Sequence, residues 1–281
     1  MNQMPMHIAI STNHRYLPYT CVMLSSLLSN NPGAMQFHIL HQGLDSADIA
    51  VLEETADNYP ATFHYYTVPA AILARILEEQ PDLLEPERYF YLYIPELLSP
   101  ELERVLYLDS DLIVNGSLES FYFCDMSGRT LAACQSESSI LKGVLLIHLN
   151  ALSSSLQEIL AQPDRPDILL LDPLQYHLSA RAAYTERNFH YQDAKTLSRI
   201  IHFNGPKPWE GNCFHCDIEQ LWWDYAKNTC FYESLMENTM REIMLDDTLR
   251  IYISNIQQEQ HQLKDIVEKY ELLLKKMGIP F

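Results

Sequence analysis

The run Leu106-Tyr107-Leu108-Asp109-Ser110-Asp111-Leu112-Ile113-Val114 sets two carboxylates two residues apart between apolar stretches. Such an apolar run reads as a buried strand, and in open α/β sheets ligands gather beyond the carboxyl ends of the strands. Two aspartates at that edge repel each other unless positive charge lies between them. A divalent, oxygen-preferring cation is the natural partner. A solvated acidic turn that ends the strand is the other reading of the triplet alone.

A second segment, Ile200-Ile201-His202-Phe203-Asn204-Gly205-Pro206-Lys207-Pro208-Trp209, closes a short apolar run with a histidine. Gly205 permits close backbone approach, and Lys207 is a point charge held between two prolines. The segment could present an imidazole to a metal and an ammonium to a phosphate. A rigid structural turn is the alternative. Together the two segments describe one site, in which Asp109, Asp111 and His202 ligate Mn²⁺ or Mg²⁺. The metal and Lys207 would then neutralise a diphosphate.

That local positive charge matters because the chain as a whole is acidic. Its 281 residues carry 19 Lys+Arg against 37 Asp+Glu, a formal net charge of −18. A broad basic surface for nucleic acid is excluded, and no nucleic-acid partner is expected. Any anionic substrate must be met by a metal, a few basic side chains or helix N-termini. With 8 Gly the chain is not collagen-like, and 47% hydrophobic residues with 17 Tyr exclude wholesale disorder. The longest apolar stretches, such as Val144 to Ile147, are strand-sized and far short of the ~20 residues that span a bilayer. Met1 to Met6 has no basic n-region and no apolar h-region, so no signal peptide is expected and the cytoplasm is the default compartment. The scattered cysteines then read as free thiols. Cys213-Phe214-His215-Cys216 has zinc-like spacing but no second Cys/His pair follows it, and reads as incidental.

The elements that must position these residues alternate. His7 to Ser11, Gln36 to His41 and Thr62 to Val68 read as strands. Pro18 to Leu28 and Ser46 to about Asp57 read as helices between them. That order implies a parallel sheet with right-handed crossovers. An aromatic-rich helix over Tyr89 to Leu98 leads into the strand Arg104 to Leu108, with its many tyrosines assigned to packing. Further strands are expected at Leu131 to Gln135, Gly143 to Leu149 and Ile200 to Phe203, and helices at Asn150 to Leu160, Ile168 to Leu178 and Ile218 to Ala226. The fold class is α/β, an open mostly parallel sheet flanked by helices, with a catalytic-type domain over residues 1–240 and a C-terminal helical appendage over 241–281. In the appendage, Ile256, Gln260, Leu263, Val267, Tyr270 and Leu274 follow Ile253 in alternating steps of three and four. This heptad-like stripe either docks on its own domain or pairs with another subunit or protein. Its mixed-charge outer face is not basic enough to anchor an anionic membrane.

These motifs, in this order, resemble glycosyltransferase family 8. That family is the retaining, metal-dependent group that includes bacterial lipopolysaccharide galactosyl- and glucosyltransferases and glycogenin. The likeness runs from about Ile8 to Tyr232. It is carried by Ile8-Ala9-Ile10-Ser11-Thr12, Tyr16, Tyr93-Ile94-Pro95-Glu96-Leu97-Leu98, Val105 to Asp111, Gly143-Val144-Leu145-Leu146-Ile147 and the His-Phe-x-Gly-x-Lys-Pro-Trp segment at 202–209. The resemblance implies a nucleotide-sugar transferase fold of the A type and a uridine diphosphate sugar as donor. It implies that Asp109 and Asp111 hold Mn²⁺ bridging the donor diphosphate and that His202 is the third protein ligand. Ser110 belongs to the same donor-binding turn, Gly205 and Lys207 meet phosphate, and Ser11, Thr12 and Tyr16 hold the nucleoside. The family's sugar-binding Asp-Gln-Asp-x-x-Asn aligns with Asp172-Pro173-Leu174-Gln175-Tyr176-His177, where only Asp172 survives. Asp172 is the one candidate there to contact donor hydroxyls and is not assigned as a nucleophile. Other departures are Asn13-His14-Arg15 before Tyr16, Tyr91 in place of a common Arg with Arg88 one turn away, and Leu141-Lys142-Gly143-Val144 in place of Asn-Ala/Ser-Gly-Val.

The implied partners are a UDP-sugar donor and a saccharide acceptor in cell-envelope glycan synthesis. Peripheral membrane association and a homodimer through the C-terminal helix accompany them. A non-catalytic, nucleotide-binding scaffold that recruits a partner through that helix is the reading from a different class. A nucleotidyltransferase fits less well, because no Gly-rich basic triphosphate loop follows the first strand.

Overall fold

The computed structural model describes residues 4–81, 83–136, 139–152, 154–179, 198–210, 217–245 and 247–276. The Cys213–Cys216 cluster lies outside them. In chain order the strands are β1 (Met6–Thr12), β2 (Met35–His41), β3 (Ala61–Thr67), β4 (Arg104–Leu108), β5 (Leu112–Val114), β6 (Leu131–Ser136), β7 (Ser139–His148), β8 (Ile168–Leu171), β9 (Leu178–Ser179) and β10 (Ile200–His202). The helices are α1 (Leu17–Asn30), α2 (Ser46–Thr55), α3 (Ala70–Glu79), α4 (Ile94–Leu97), α5 (Glu119–Tyr122), α6 (Leu156–Leu160), α7 (Pro173–Tyr176), α8 (Asp217–Ala226), α9 (Tyr232–Leu245) and α10 (Asp247–Lys276).

Seven strands form one sheet in the order β3-β2-β1-β4-β7-β6-β8. The pairs β1–β2, β2–β3, β1–β4 and β6–β8 are parallel, while β7 runs antiparallel to both β4 and β6. Side chains alternate across a strand, and both faces are buried. Ile8, Ile10, Leu106 and Leu108 enter one core with Leu24 of α1 and Leu52 of α2. Ala9, Val105, Tyr107, Leu145 and Ile147 enter the other with Ile72 of α3 and Phe90. Each fully buried Leu or Ile adds about 1.5–3 kcal/mol of apolar transfer, so the site rests on a stiff platform. Strands buried on both faces read as near-continuous apolar runs, which is why β1, β2 and β4 stand out in the sequence.

A second, three-stranded sheet has the order β5-β10-β9, with β10 antiparallel to β5 and parallel to β9. The Asp-x-Asp turn is the link between the two sheets: β4 ends at Leu108 and β5 begins at Leu112.

Three expected helices take other forms. Ile168 to Leu178 is β8, one turn of helix and the two-residue β9. Ile168-Leu169-Leu170-Leu171 is apolar at every position, so periodicity could not separate strand from helix, and pairing with β6 decides it. Tyr89 to Leu98 is a 3₁₀ segment, Pro86–Tyr93, followed by α4. Pro95 lacks an N–H and so sits at the start of α4 rather than inside a longer helix. Asn150 to Leu160 is a 3₁₀ turn, Leu149–Ala151, then α6, whose start is fixed by the Ser155 side chain accepting from Glu158 N–H. The sequence reading passed over α3.

By its internal contacts the chain divides into two units. One holds Met1–Pro208 with Cys213–Tyr232, the other Trp209–Asn212 with Glu233–Phe281. No helix among the described residues is long and apolar enough to cross a membrane. Cys21, Cys124, Cys134 and Cys230 are free thiols.

Candidate metal centre and donor site

The site begins where β4 leaves the large sheet. Asp109 N–H donates to Gly143 O at 2.9 Å, so the β4–β7 ladder continues one step into the turn. At that place β7 is irregular. Between its pairs with Ala133 and Gln135 it holds four residues, Leu141 to Val144, where β6 holds only Cys134. Such bulges re-aim backbone next to sites. Here the bulge brings Gly143 so close that a Cβ would collide with His202 Cε1 and stand 2.7 Å from both Asp109 Oδ2 and His202 Nδ1. Only glycine fits.

His202 reaches the aspartates through strand pairing. In the β5–β10 register His202 lies opposite Leu112, and Phe203 N–H donates to Asp111 O at 2.9 Å. His202 Nε2 is then 2.9 Å from Asp111 Oδ1 and 3.6 Å from Asp109 Oδ2. One ligand atom from each of Asp109, Asp111 and His202 lies within 4.8 Å of the others. Two carboxylate oxygens and one imidazole nitrogen suit a hard or borderline divalent ion such as Mg²⁺ or Mn²⁺. The residues present therefore fit a divalent cation of the kind the sequence reading expects.

The charged groups of the site act strongly on one another. Burial, then repulsion from Asp111, pushes the Asp109 carboxyl up to about 6. Tyr107, expected only to pack, donates its hydroxyl to Asp109 Oδ1 at 2.6 Å. Burial would also raise Asp111, but the His202 ring and the Lys207 ammonium hold it well below the usual carboxylate range. Lys207 Nζ donates to Asp111 Oδ2 and to the Phe203 carbonyl. Burial alone would lower His202, and the two aspartates raise it instead. Gly205 lies in the turn between His202 and Lys207.

The comparison with known proteins bears directly on this arrangement. A model of glycosyl transferase family 8 matches residues 7–162, more than half of the chain. The chain belongs to glycosyl transferase family 8. Among relatives, a glycosyltransferase-like protein of Haemophilus influenzae is 25% identical over 46% of this chain and 39% of its own length. The lipopolysaccharide 1,3-galactosyltransferase of Salmonella typhimurium is 24% identical over 72% of each chain. The chain thus spans about two fifths of the first relative. Among solved structures, the galactosyltransferase LgtC with donor and acceptor sugar analogues superposes with a TM-score of 0.63 at 19% identity, covering 80% of this chain and 96% of that one. That is a likeness of fold, an open sheet flanked by helices.

Within the family 8 frame the remaining candidates fall into two groups. Ser110, Ser11 and Thr12 form a buried layer behind the aspartates. Thr20 of α1 donates to Ser110 Oγ at 2.9 Å and shares a 2.7 Å bond with Thr12 Oγ1, while Ser110 Oγ donates to Ser11 O at 3.1 Å. These hydroxyls tie the Asp-x-Asp turn to the end of β1. Tyr16 is half-buried at the start of α1, its backbone N–H capped by Asn13 Oδ1 at 2.9 Å. Its hydroxyl faces Glu85 at 3.5 Å, which also pairs with Arg15 and Arg88. Arg88 is exposed, and against a partial desolvation it is raised by the Tyr16 hydroxyl, Glu85 and the Asp111 charge. It therefore brings a cation to this edge, where the family's usual Arg is replaced by the buried Tyr91.

Asp172 is not part of the metal cluster. It follows β8 beside Cys134, whose thiol is raised by burial and then by the Asp172 charge, and its carbonyl accepts from Gln175 and Tyr176 N–H at 3.2 and 3.1 Å. From the same segment the residue that does reach the site is His177, whose Nε2 lies 3.0 Å from His202 Nδ1. The helical reading of Ile168 to Leu178 concealed it.

Proposed function

We propose that this family 8 protein moves a hexose from a UDP-sugar to a saccharide acceptor of the cell envelope, with retention at the anomeric carbon. The observation that carries the reading is the convergence of Asp109, Asp111 and His202 on one point, with Lys207 beside it. Mn²⁺ or Mg²⁺ held by those three residues would supply the positive charge that a departing diphosphate needs. Lys207 and the Gly205 backbone would add contacts to phosphate oxygens; in support, the Lys207 ammonium stands beside the carboxylates, bonded to Asp111 and Phe203 O. Tyr16 offers an aromatic face for the uracil, and Ser11 and Thr12 are assigned to the nucleoside with it. Asp172, at the end of β8, is assigned to donor hydroxyls. His202 serves as a ligand and not as a base. The free thiols fit a reducing, cytoplasmic compartment.

The test is release of UDP from a panel of UDP-sugars, with and without Mn²⁺, in the native protein and in Asp109→Ala and Asp111→Ala. Mn²⁺-dependent release lost in both variants is the expected result. Binding of UDP and Mn²⁺ with no release from any sugar would favour the scaffold reading, and pyrophosphate as product would favour a nucleotidyltransferase.

We also propose that α10 pairs with a second copy of itself. Ile256, Leu263, Val267 and Tyr270 are all exposed along one stripe. With Val267 at a and Leu263 at d, a two-stranded parallel pair is favoured, with Gln260 as a polar layer that sets register. In that pairing Glu259 at g meets Lys264 at e of the other copy. The helix carries five acidic and five basic residues, so an anionic membrane gains no net attraction from it.

A further inference from the structure

His177 has no solvent exposure, and its ring stacks on that of His202 with centroids 5.1 Å apart and planes at 22°. It stands immediately before β9, whose parallel pairing sets Ser179 beside His202. His202 turns Nε2 to the two aspartates and Nδ1 to His177 Nε2 at 3.0 Å. An imidazole that offers its Nε2 lone pair to a cation carries its proton on Nδ1. That N–H then points at His177 Nε2, which must accept it. The proton of His177 is left on its own Nδ1, which is buried and has no hydrogen-bond partner among the described residues. A buried donor without a partner calls for a specific explanation. The Gly143 backbone lies close against the Cε1–Nδ1 edge of the same ring.

We infer that His177 is a positioning residue for the metal centre: by accepting the Nδ1–H of His202 it fixes that ring as the tautomer and orientation that presents Nε2 to the cation. Metal-binding histidines are commonly held by a carboxylate or carbonyl on the second nitrogen. Here a second imidazole takes that place. It comes from the segment in which the family's sugar-binding pattern is otherwise lost.

The inference rests on the metal reading above, and its test separates the two. Mn²⁺ is titrated calorimetrically into the metal-free protein and into His177→Phe, His177→Ala and His177→Gln, with a thermal melt of each without metal. The Phe and Ala variants, which lack an acceptor, should bind Mn²⁺ roughly 10–100-fold more weakly. The Gln variant, whose Oε1 can accept, should lose less than the roughly tenfold that marks a lost partner of a metal ligand. Native affinity in whichever of Phe or Ala folds would overturn the inference, and so would a Gln variant as weak as they are. A lowered melting temperature with native affinity marks a structural role and overturns it equally. If the native protein itself binds no Mn²⁺, the metal reading fails and this inference with it.

Discussion

Adding a single methyl group at Gly143 probes the site more sharply than removing a ligand. The Cβ of Gly143→Ala would stand 2.7 Å from Asp109 Oδ2 and from His202 Nδ1, while ordinary contact begins at 3.4 Å. Each neighbour must retreat by 3.4 − 2.7 = 0.7 Å, and His202 further because of the closer clash at Cε1. Metal–ligand distances tolerate only about ±0.2 Å, so the displacement is roughly three times what coordination absorbs. Neither neighbour has an easy escape. Asp109 is held by Tyr107 and its own backbone bond to Gly143, and His202 is backed by His177. Overpacking of this kind costs about 1–3 kcal/mol. At roughly 2–4 °C per kcal/mol for a domain of this size, the metal-free protein should melt about 2–12 °C lower. Mn²⁺ affinity should fall by at least about tenfold, as for other losses of ligand orientation. Gly33→Ala is the control, because a Cβ there meets nothing within 4 Å and the backbone is not left-handed. Calorimetric titration of Mn²⁺ and a thermal melt measure both effects. If Gly143→Ala binds and melts like the native protein while Gly33→Ala does the same, the close approach of β7 to the ligands is not real and the geometry of the site is wrong.

Asp109 and Asp111 should respond oppositely to the same change when no metal is present. The folded-state value of Asp109, about 6, lies above its ordinary 3.8. Its contribution is complete below pH ~4 and lost as pH rises through about 6. Asp109→Asn should therefore raise the melting temperature at pH 8 and leave it nearly unchanged at pH 4, while weakening Mn²⁺ binding. Asp111 is held low by His202 and Lys207, so its contribution is present above pH ~4 and lost in acid. Asp111→Asn should cost about 3 kcal/mol at neutral pH by stranding a partly buried lysine and histidine, read by chemical denaturation. Mn²⁺ affinity in the native protein should fall as the pH drops, by about tenfold per pH unit for each proton that must leave: first that of the His202 imidazolium, which the aspartates raise, and below pH 6 that of Asp109 as well; a flat profile from pH 7 to 5 would refute these raised groups. Sedimentation of Leu263→Lys should show a monomer with native Mn²⁺ affinity where the native chain is dimeric; an unchanged mass would refute pairing through α10.

What was legible in the sequence follows from what each residue does. β1, β2 and β4 are buried on both faces, so their composition alone marks them, and the abrupt stop of β4 at Asp109 marks the edge of the sheet. His202 and Lys207 were legible because glycine and proline confine the turn that holds them. β8 was misread because four consecutive apolar residues have no period. His177 was missed with it: its importance depends on a parallel pairing between β9 and β10 across more than twenty residues, which leaves no local pattern. Tyr107 looked like one more core aromatic, and it is one, at 1% exposure; only its hydroxyl reaches the site. The bulge at Leu141-Lys142-Gly143-Val144 is likewise invisible, because a single glycine within a strand does not show how many residues loop out. α3 did carry a signal, with Ile72 and Ile76 four apart among good helix formers, and was simply passed over.

The two sheets explain why ligands so far apart in sequence meet. Asp109 belongs to the end of the large sheet, and Asp111 belongs to the start of the small one. Asp111 gives its backbone carbonyl to Phe203 and its carboxylate to His202 and Lys207, so the residue that orients β10 is the residue that uses it. Asn115 N–H to Arg199 O, at 2.7 Å, closes the other end of the same ladder. A slip of one residue in this short antiparallel pairing would turn His202 to the opposite face, away from Asp109. Three paired residues would be a weak guarantee of register in isolation. Here Ser26 of α1 donates nothing to the ladder and instead accepts the free N–H of Val114 at 2.9 Å, while Asn30 donates to Val114 O at 2.9 Å. The helix that follows β1 thus pins β5, β5 aligns β10, and β10 delivers the imidazole. The first strand–helix unit of the chain sets the position of a ligand almost two hundred residues later, because both ends of that path are fastened to buried backbone.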